Sequence, residues 1–331
     1  MNKILITGHK GLVGRACADL FWKSGWEVVG LDSNERAKFF NTEKQKDQEA
    51  ITNIEADIRD EGAMNILFQY GTFDAIIHAA GQPSHDYATD HAIEDFDINA
   101  RGTLILLEAT RKYCPDATFV FVSTDKVYGE NMAGRIYNNI KTPTRLLNRV
   151  PYNESLGLDF AGNRSLFGCS KAAADLYVQE YGHRFGIETA CFRPGCITGR
   201  NHQGAEQHGF LAYLVKCIRE GKTYKIFGHE GKQVRDQIHA DDLASAFKHF
   251  IDKPRVAEVY NIGGGPARSV SIIEAGEMIS KKLKKPFLFE HHPARVGDRS
   301  WDVHNVAKFT KHYPRWRYEY SLKDIINDLC L

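Results

Sequence analysis

Three glycines set the strongest limit on what this chain can fold into. Gly8, Gly11 and Gly14 follow the apolar run KILITG (3–8) and open a segment, 11–25, whose apolar residues recur at helical spacing. A strand that turns straight into a helix through residues without Cβ leaves backbone N–H groups and a helix N-terminus exposed, and a pyrophosphate can lie against them. A second strand pattern, 26–32, ends on Asp32. A carboxylate about 20 residues past such a turn hydrogen-bonds the adenosine ribose and repels a 2′-phosphate, which favours NAD over NADP. Strand, turn, helix and acid together predict a dinucleotide site built from Gly8, Gly11, Leu12, Val13, Gly14 and Asp32.

The same alternation continues. Strand patterns occupy 51–57, 73–81, 117–125 and 187–195, with helical patterns over 93–113 and from Leu166 onward. The near-continuous apolar runs IIHAA and FVFVS fit buried central strands of a parallel sheet covered on both faces. The fold class expected is α/β, a Rossmann-like doubly wound parallel sheet with a smaller C-terminal substrate-binding lobe. Residues 1–195 would form the NAD-binding domain. Residues 196–331, where loops lengthen and glycines cluster, would form the second lobe, interleaved with the last sheet elements. The polar stretch 34–50 reads as a surface excursion. With 43 basic and 42 acidic residues the formal net charge is +1, so bulk electrostatics gives no case for nucleic acid. Seven cysteines without a CxxC pair suggest reduced thiols in a cytoplasmic protein, and no apolar run approaches the ~18 residues a membrane span needs.

GHKGLVG, Asp32, ADIRD (56–60), HAAGQ (78–82), STDKVYG (123–129) and FGCSK (167–171) stand in the order found in the extended short-chain dehydrogenases/reductases, the nucleotide-sugar epimerases and dehydratases. CFRPGCITG (191–199), GKQVRDQIHADD (231–242), YNIGGG (260–265) and RVGD (295–298) are similar to that family's C-terminal landmarks. GKQVRD and the AAGQ loop most resemble the family's 2-epimerases of CDP-sugars. The resemblance implies Asp57 and Ile58 at the adenine ring, with Ala79, Ala80 and Gly81 along the cofactor. It puts Lys171 on the nicotinamide ribose, and Pro194 and Gly195 beside the nicotinamide. It implies Gln82 and Thr124 at the sugar, Arg235 and Arg295 at the diphosphate, and a homodimer through the helices near 94–113 and 166–185. Arginine suits a diphosphate because its forked donors match phosphate oxygens.

The reacting centre departs from this pattern. The family's helix carries tyrosine and lysine at i and i+4, so that the lysine lowers the phenol pKa. Here Lys171 is present, but its partner is Phe167, which exchanges no proton. Either the position has been altered, or a proton acceptor stands elsewhere. Asp125-Lys126 after Thr124 resembles the acidic pair of the 4,6-dehydratases; the plain alternative is a strand-end ion pair of small energetic value. His85, in the loop after the fourth strand, has an ordinary pKa near 6.5 that suits a proton shuttle, although with fourteen histidines most are structural. Tyr137 and Tyr152 are further candidates. His202, Gln203, Glu206 and His208 read as a sugar- or base-contacting loop rather than a metal site. Three readings follow: an NAD-dependent CDP-sugar epimerase, a 4,6-dehydratase using Asp125 and Lys126, or a silent NAD- and nucleotide-sugar-binding protein.

Overall fold

A computed structural model describes residues 1–35, 47–129, 140–147, 151–158, 162–200, 202, 204, 209–294 and 299–331. Seven strands form the main sheet: β1 (Lys3–Thr7), β2 (Glu27–Asp32), β3 (Thr52–Glu55), β4 (Ala75–His78), β5 (Thr118–Val122), β6 (Thr189–Pro194) and β7 (Glu258–Ile262). Their order is β7-β6-β5-β4-β1-β2-β3, and every neighbouring pair is parallel. All seven carboxyl ends therefore lie along one edge. The order reverses between β1 and β4, where the flanking loops part and leave a crevice.

The apolar runs work because alternate residues face opposite sides. Ile4, Ile6, Ala75, Ile77 and Val120 pack with Cys17, Phe21, Leu243 and Phe247 of helices Leu12–Lys23 and Ala240–Asp252. Leu5, Ile76, Phe119 and Phe121 pack on the other face with Phe68, Leu107 and Val178 of helices Glu61–Gly71, Gly102–Tyr113 and Leu166–Phe185. The region after 195 contributes both to this body and to a second core. Strand β7 and helix Ala240–Asp252 join the sheet. Helices Phe210–Glu220, Ile272–Leu283 and Leu322–Leu329 bury a separate cluster around Leu214, Ile226, Ile279 and Ile325. Strand Val234–His239 links the two: it pairs with Cys196–Thr198, Ser269–Ser271 and Trp301–Asp302.

Two elements differ from the sequence pattern. The strand expected to 125 stops at Val122, because the Thr124 hydroxyl accepts from the Lys126 N–H and starts a 3-10 turn over Asp125–Tyr128. The helix expected over 93–113 contains a wider π turn, Asp97–Arg101, that carries Asn99 inward against the loop after β4.

One buried pair fixes helix Leu166–Phe185 to the sheet. Arg193 on β6 donates to both oxygens of Asp175, at 2.6 and 3.0 Å, and Ser123 donates to the same carboxylate at 2.5 Å. Removing the cation strands a buried carboxylate, so Arg193→Leu should lower the unfolding free energy by about 3–5 kcal/mol, and adding Asp175→Leu should recover much of that loss. Urea denaturation measures both; a loss below about 1 kcal/mol for Arg193→Leu would show that the pair does not clamp the helix.

Candidate functional site

A cavity of about 1090 Å³ follows the carboxyl edge of the sheet. At one end the glycine turn forms its floor. Gly8 has φ +69°, and a Cβ there would lie 2.6 Å from the Ala80 nitrogen. A Cβ on Gly14 would lie 2.2 Å from the Gly8 carbonyl oxygen. The turn thus packs directly on the loop after β4, which Thr7 steadies by accepting from the Ala80 N–H at 3.2 Å. Gly11 caps the first helix without a side-chain acceptor, so the first-turn N–H groups stay available to an anion. Leu12 and Val13 continue this wall.

Asp32, at the end of β2, accepts from the backbone N–H groups of Lys10 at 3.1 Å and Asn34 at 2.8 Å, and it faces the cavity. Asp57 and Ile58 close that end. Burial pushes the Asp57 carboxyl up, but the Arg59 guanidinium at 2.5 Å outweighs it and holds Asp57 below the usual range. Ala79, Ala80, Gly81, Pro194 and Gly195 line the middle. A cradle that Cβ atoms would fill, with a carboxylate one strand away, is what NAD requires.

Lys171 reaches the same middle section from its helix. Its ammonium donates to the Val122 carbonyl at 2.7 Å and lies 4.1 Å from the Phe121 ring centre. Burial lowers its pKa to about 8, although Asp175 and Asp95 pull the other way. Phe167, one turn earlier, is 8% exposed, and the His85 ring packs on it with centres 4.9 Å apart. The expected sugar contact Gln82 is wholly buried. Its amide donates to Asp95 and to the Ser84 carbonyl and accepts from the Ser84 N–H, so it holds the loop rather than offering its amide to the cavity. Asn99 completes that network, bonding Gln82, Asp95 and Ser170.

The far side of the middle section is an ionic cluster. The Lys126 ammonium bridges Asp125 at 2.9 Å and Asp302 at 3.1 Å, and Arg299 donates to Asp302 at 3.1 Å. This is a buried four-member cluster, not a strand-end pair in water. Burial and the neighbouring Asp302 raise the Asp125 pKa. Asp302 falls well below the usual range because Lys126 and Arg299 overcome its burial. The two carboxylates raise the Lys126 pKa against its own burial. Behind them, Asp236 meets His304 Nδ1 at 2.9 Å, and His304 Nε2 meets the Tyr152 hydroxyl at 2.5 Å. Asp125, Asp302 and His304 offer metal-type ligands within 4.8 Å of one another. The chemistry argues against a cation: Lys126 and Arg299 already neutralise the acids, and both His304 nitrogens are engaged.

At the end away from the glycines, strand Val234–His239 presents a polar row. Arg235 and Gln237 on the strand, and Gln233 just before it, line the cavity beside Tyr224, Lys225, Phe227, His202 and Phe210. Arg235 donates to the Arg299 carbonyl at 2.5 Å. Of the described site residues drawn from the sequence, all border this one cavity except Tyr152, which stands behind it on His304. Arg295, Tyr137, Gln203, Glu206 and His208 lie outside the described residues. Sequence reasoning missed Asp302, Arg299, Asn99 and the two glutamines. The alternation Gln-x-Arg-x-Gln in GKQVRDQ was the available signal for the last two.

A dinucleotide cradle, a buried lysine beside it and a second polar end in one cavity describe a cofactor-dependent enzyme with a polar substrate. The chain belongs to the NAD-dependent epimerase/dehydratase family, whose model matches residues 4–263, and NAD is its cofactor. It is 31% identical over 335 residues to the CDP-paratose 2-epimerase of Salmonella typhi, covering 97% of this chain and 96% of that protein. It is 27% identical over 284 residues to the dTDP-glucose 4,6-dehydratase of Xanthomonas campestris, covering 82% and 74% of the two chains. The fold matches that of the UDP-glucose 4-epimerase of Thermotoga maritima with a TM-score of 0.80, at 24% identity over 99% of this chain and 97% of the other. Among the described residues no helix is long and apolar enough to cross a membrane.

Lys171 gives this site a measurable signature. An unfolded lysine titrates near 10.4. With the folded value lowered to about 8, the unfolded chain binds more protons between those pH values, and stability rises with pH across that window. Cofactor-free protein should therefore gain stability over its Lys171→Met variant as pH climbs from 8 to 10. A difference that stays flat in urea titrations at several pH values would contradict the burial argument.

Proposed function

We propose that this protein is an NAD-dependent nucleotide-sugar epimerase that inverts a sugar carbon by transient oxidation, with a CDP-sugar as substrate. The observation that carries this reading is the single cavity, with a dinucleotide cradle at one end and the row Gln233, Arg235, Gln237 at the other. The 31% identity to a CDP-paratose 2-epimerase supports the CDP-sugar and the 2-position. Bound NAD supplies a hydride acceptor that returns the hydride to the other face of the sugar carbon. The chain's own residues hold and move the rest. Lys171 fixes the nicotinamide ribose. Thr124 hydrogen-bonds the reacting hydroxyl. Arg235, together with Arg295, binds the diphosphate.

The proton acceptor is His85. Phe167 has no proton to exchange. Tyr152 is held protonated by burial and by Asp302 and Asp125. The Asp125 carboxylate is already engaged by Lys126 and Arg299, and Lys126 is held between two carboxylates. His85 lines the cavity against the Phe167 ring, one helical turn from Lys171. His85→Ala should lower turnover by about 10²-fold or more with NAD still retained, and Phe167→Tyr in the same chain should restore part of it. Full activity in His85→Ala would remove this assignment.

The dehydratase reading has one observation in its favour, an Asp125 whose raised pKa suits it to protonate a leaving hydroxyl. Elimination also needs a base at the neighbouring carbon. Lys126, locked as a cation between two carboxylates, is poorly suited to that task. The distinguishing experiment uses protein purified without added cofactor. It should carry NAD and interconvert two epimers of a CDP-sugar with no change of mass, and Asp125→Asn should still do so. A product lighter by one water that disappears in Asp125→Asn would establish the dehydratase. NAD and nucleotide-sugar binding without turnover of any CDP-, UDP-, GDP- or dTDP-sugar would establish a silent binding protein. We also read the exposed apolar residues Ile93, Phe96, Leu176, Tyr177 and Phe185 as the face of a homodimer, for which light scattering should give twice 37.4 kDa.

A further inference from the structure

Gln233 is 4% exposed and sits in the cavity wall beside Tyr224, Lys225 and Phe227. Its Nε2 donates to the Phe227 carbonyl at 2.9 Å. That bond fixes which way the amide points. Turning the amide over would set Oε1 against the Phe227 carbonyl oxygen, two acceptors facing each other. The oxygen therefore points away from Phe227, and it is buried with no hydrogen-bond partner among the described residues. A buried acceptor without a donor costs about 1–3 kcal/mol, so a native site that keeps one calls for a partner from outside the chain.

The position says what that partner is. Gln233 immediately precedes strand Val234–His239, two residues before Arg235, and both face the same cavity, about 7 Å apart along an extended chain. Arg235 suits a diphosphate. One ribose separates a nucleotide's phosphate from its base. Gln237, on the other side of Arg235, pairs in register with Cys196 beside the cofactor section, so the base falls on the far side, at Gln233. We propose that Gln233 reads the nucleobase and selects a pyrimidine that presents an amino group, cytosine, over one that presents a carbonyl at the same place, uracil or thymine. This rests on the nucleotide-sugar reading above. The amide oxygen accepts from the cytosine amino group. Against uracil it would meet another acceptor, and neither group would then be satisfied. A site built to pair a donor discriminates strongly against a ligand lacking it, because its own buried group is left unpaired.

Calorimetric titration of the whole purified protein, with its cofactor as isolated, tests this with CDP and UDP as probes. The unaltered protein should bind CDP at least about tenfold more tightly than UDP, the effect of one well-made hydrogen bond. Gln233→Met, of similar shape but with no strong acceptor, should narrow the ratio to within about threefold, mainly by weakening CDP. The unaltered protein gives a second measurement that needs no variant. The diphosphate of the pyrimidin-2-one ribonucleoside carries hydrogen where cytosine carries its amino group, and it should lose about tenfold against CDP. Equal binding of CDP and UDP, an unchanged ratio in Gln233→Met, or full affinity for the pyrimidin-2-one nucleotide would each overturn the proposal. Failure of the reaction is seen separately. A preference for CDP without epimer formation leaves the base-reading role standing and removes the epimerase. Epimer formation with no preference for CDP does the reverse.

Discussion

The carboxylate of Asp175 fixes where the parts of the site stand. It lies one turn beyond Lys171 on helix Leu166–Phe185 and binds two strand ends at once, Arg193 on β6 and Ser123 just past β5. Those ends lead directly into Thr124–Lys126 and Pro194–Cys196, the walls on either side of the cavity's middle section. With the helix clamped in this register, the Lys171 ammonium arrives at the Val122 carbonyl rather than at solvent. A buried ion pair is weak as a source of net stability, since desolvation offsets its attraction. Its effect here is positional: a helix that slid by one turn would leave both charges buried without partners. The Tyr128 ring under the Arg193 guanidinium, at 4.8 Å, closes the remaining face of the cation.

Much of this was legible in the sequence because it is local. A glycine at φ +69° and a strand that alternates between two apolar faces are properties of a few consecutive residues. So is Asp32 at a strand end, and each leaves a pattern that can be read without the fold. What was not legible depends on distant pairing. Asp125 finds Arg299 across 174 residues, and nothing near Asp125 announces it. Asp125-Lys126 therefore read as a dehydratase-like pair or a strand-end ion pair, with no sign of Asp302 and Arg299, which complete the cluster. The partners of Gln82 were hidden for the same reason. Its loop belongs to the cavity, but Asp95 and Ser84 engage its amide from within the protein. The Asp97–Arg101 π turn is hidden inside a sequence with ordinary helical periodicity.

The Phe167 ring brings no ionisable group to the middle section, and this bears on its electrostatics as well as on its proton inventory. Phe167 offers Lys171 no hydroxyl whose ionisation it could assist, and burial brings the lysine pKa down to about 8. Buried His78, beneath it, stays neutral, because burial and the Lys171 charge both lower its pKa. Around the cofactor end, therefore, Lys171 is a cation held by a carbonyl and an aromatic face. The acids gather on the far wall, where Lys126 and Arg299 balance them. The acids of that wall are taken up in this balance, which is why the proposed proton acceptor is sought on the opposite side, where the His85 ring packs on Phe167.

The polar row on strand Val234–His239 divides recognition by kind of force. A guanidinium binds a diphosphate through charge and forked geometry, and every nucleoside diphosphate offers the same oxygens to it. Arg235 can therefore supply affinity but no choice among nucleotides. Choice requires a neutral group whose donors and acceptors are fixed in direction, buried deeply enough that water cannot substitute for a missing partner. The carbonyl of Phe227 imposes that direction on Gln233, which leads into the strand that carries Arg235. In the proposed reading affinity and selectivity therefore fall to residues two apart on one stretch of chain, and the rise of an extended backbone sets the distance between them.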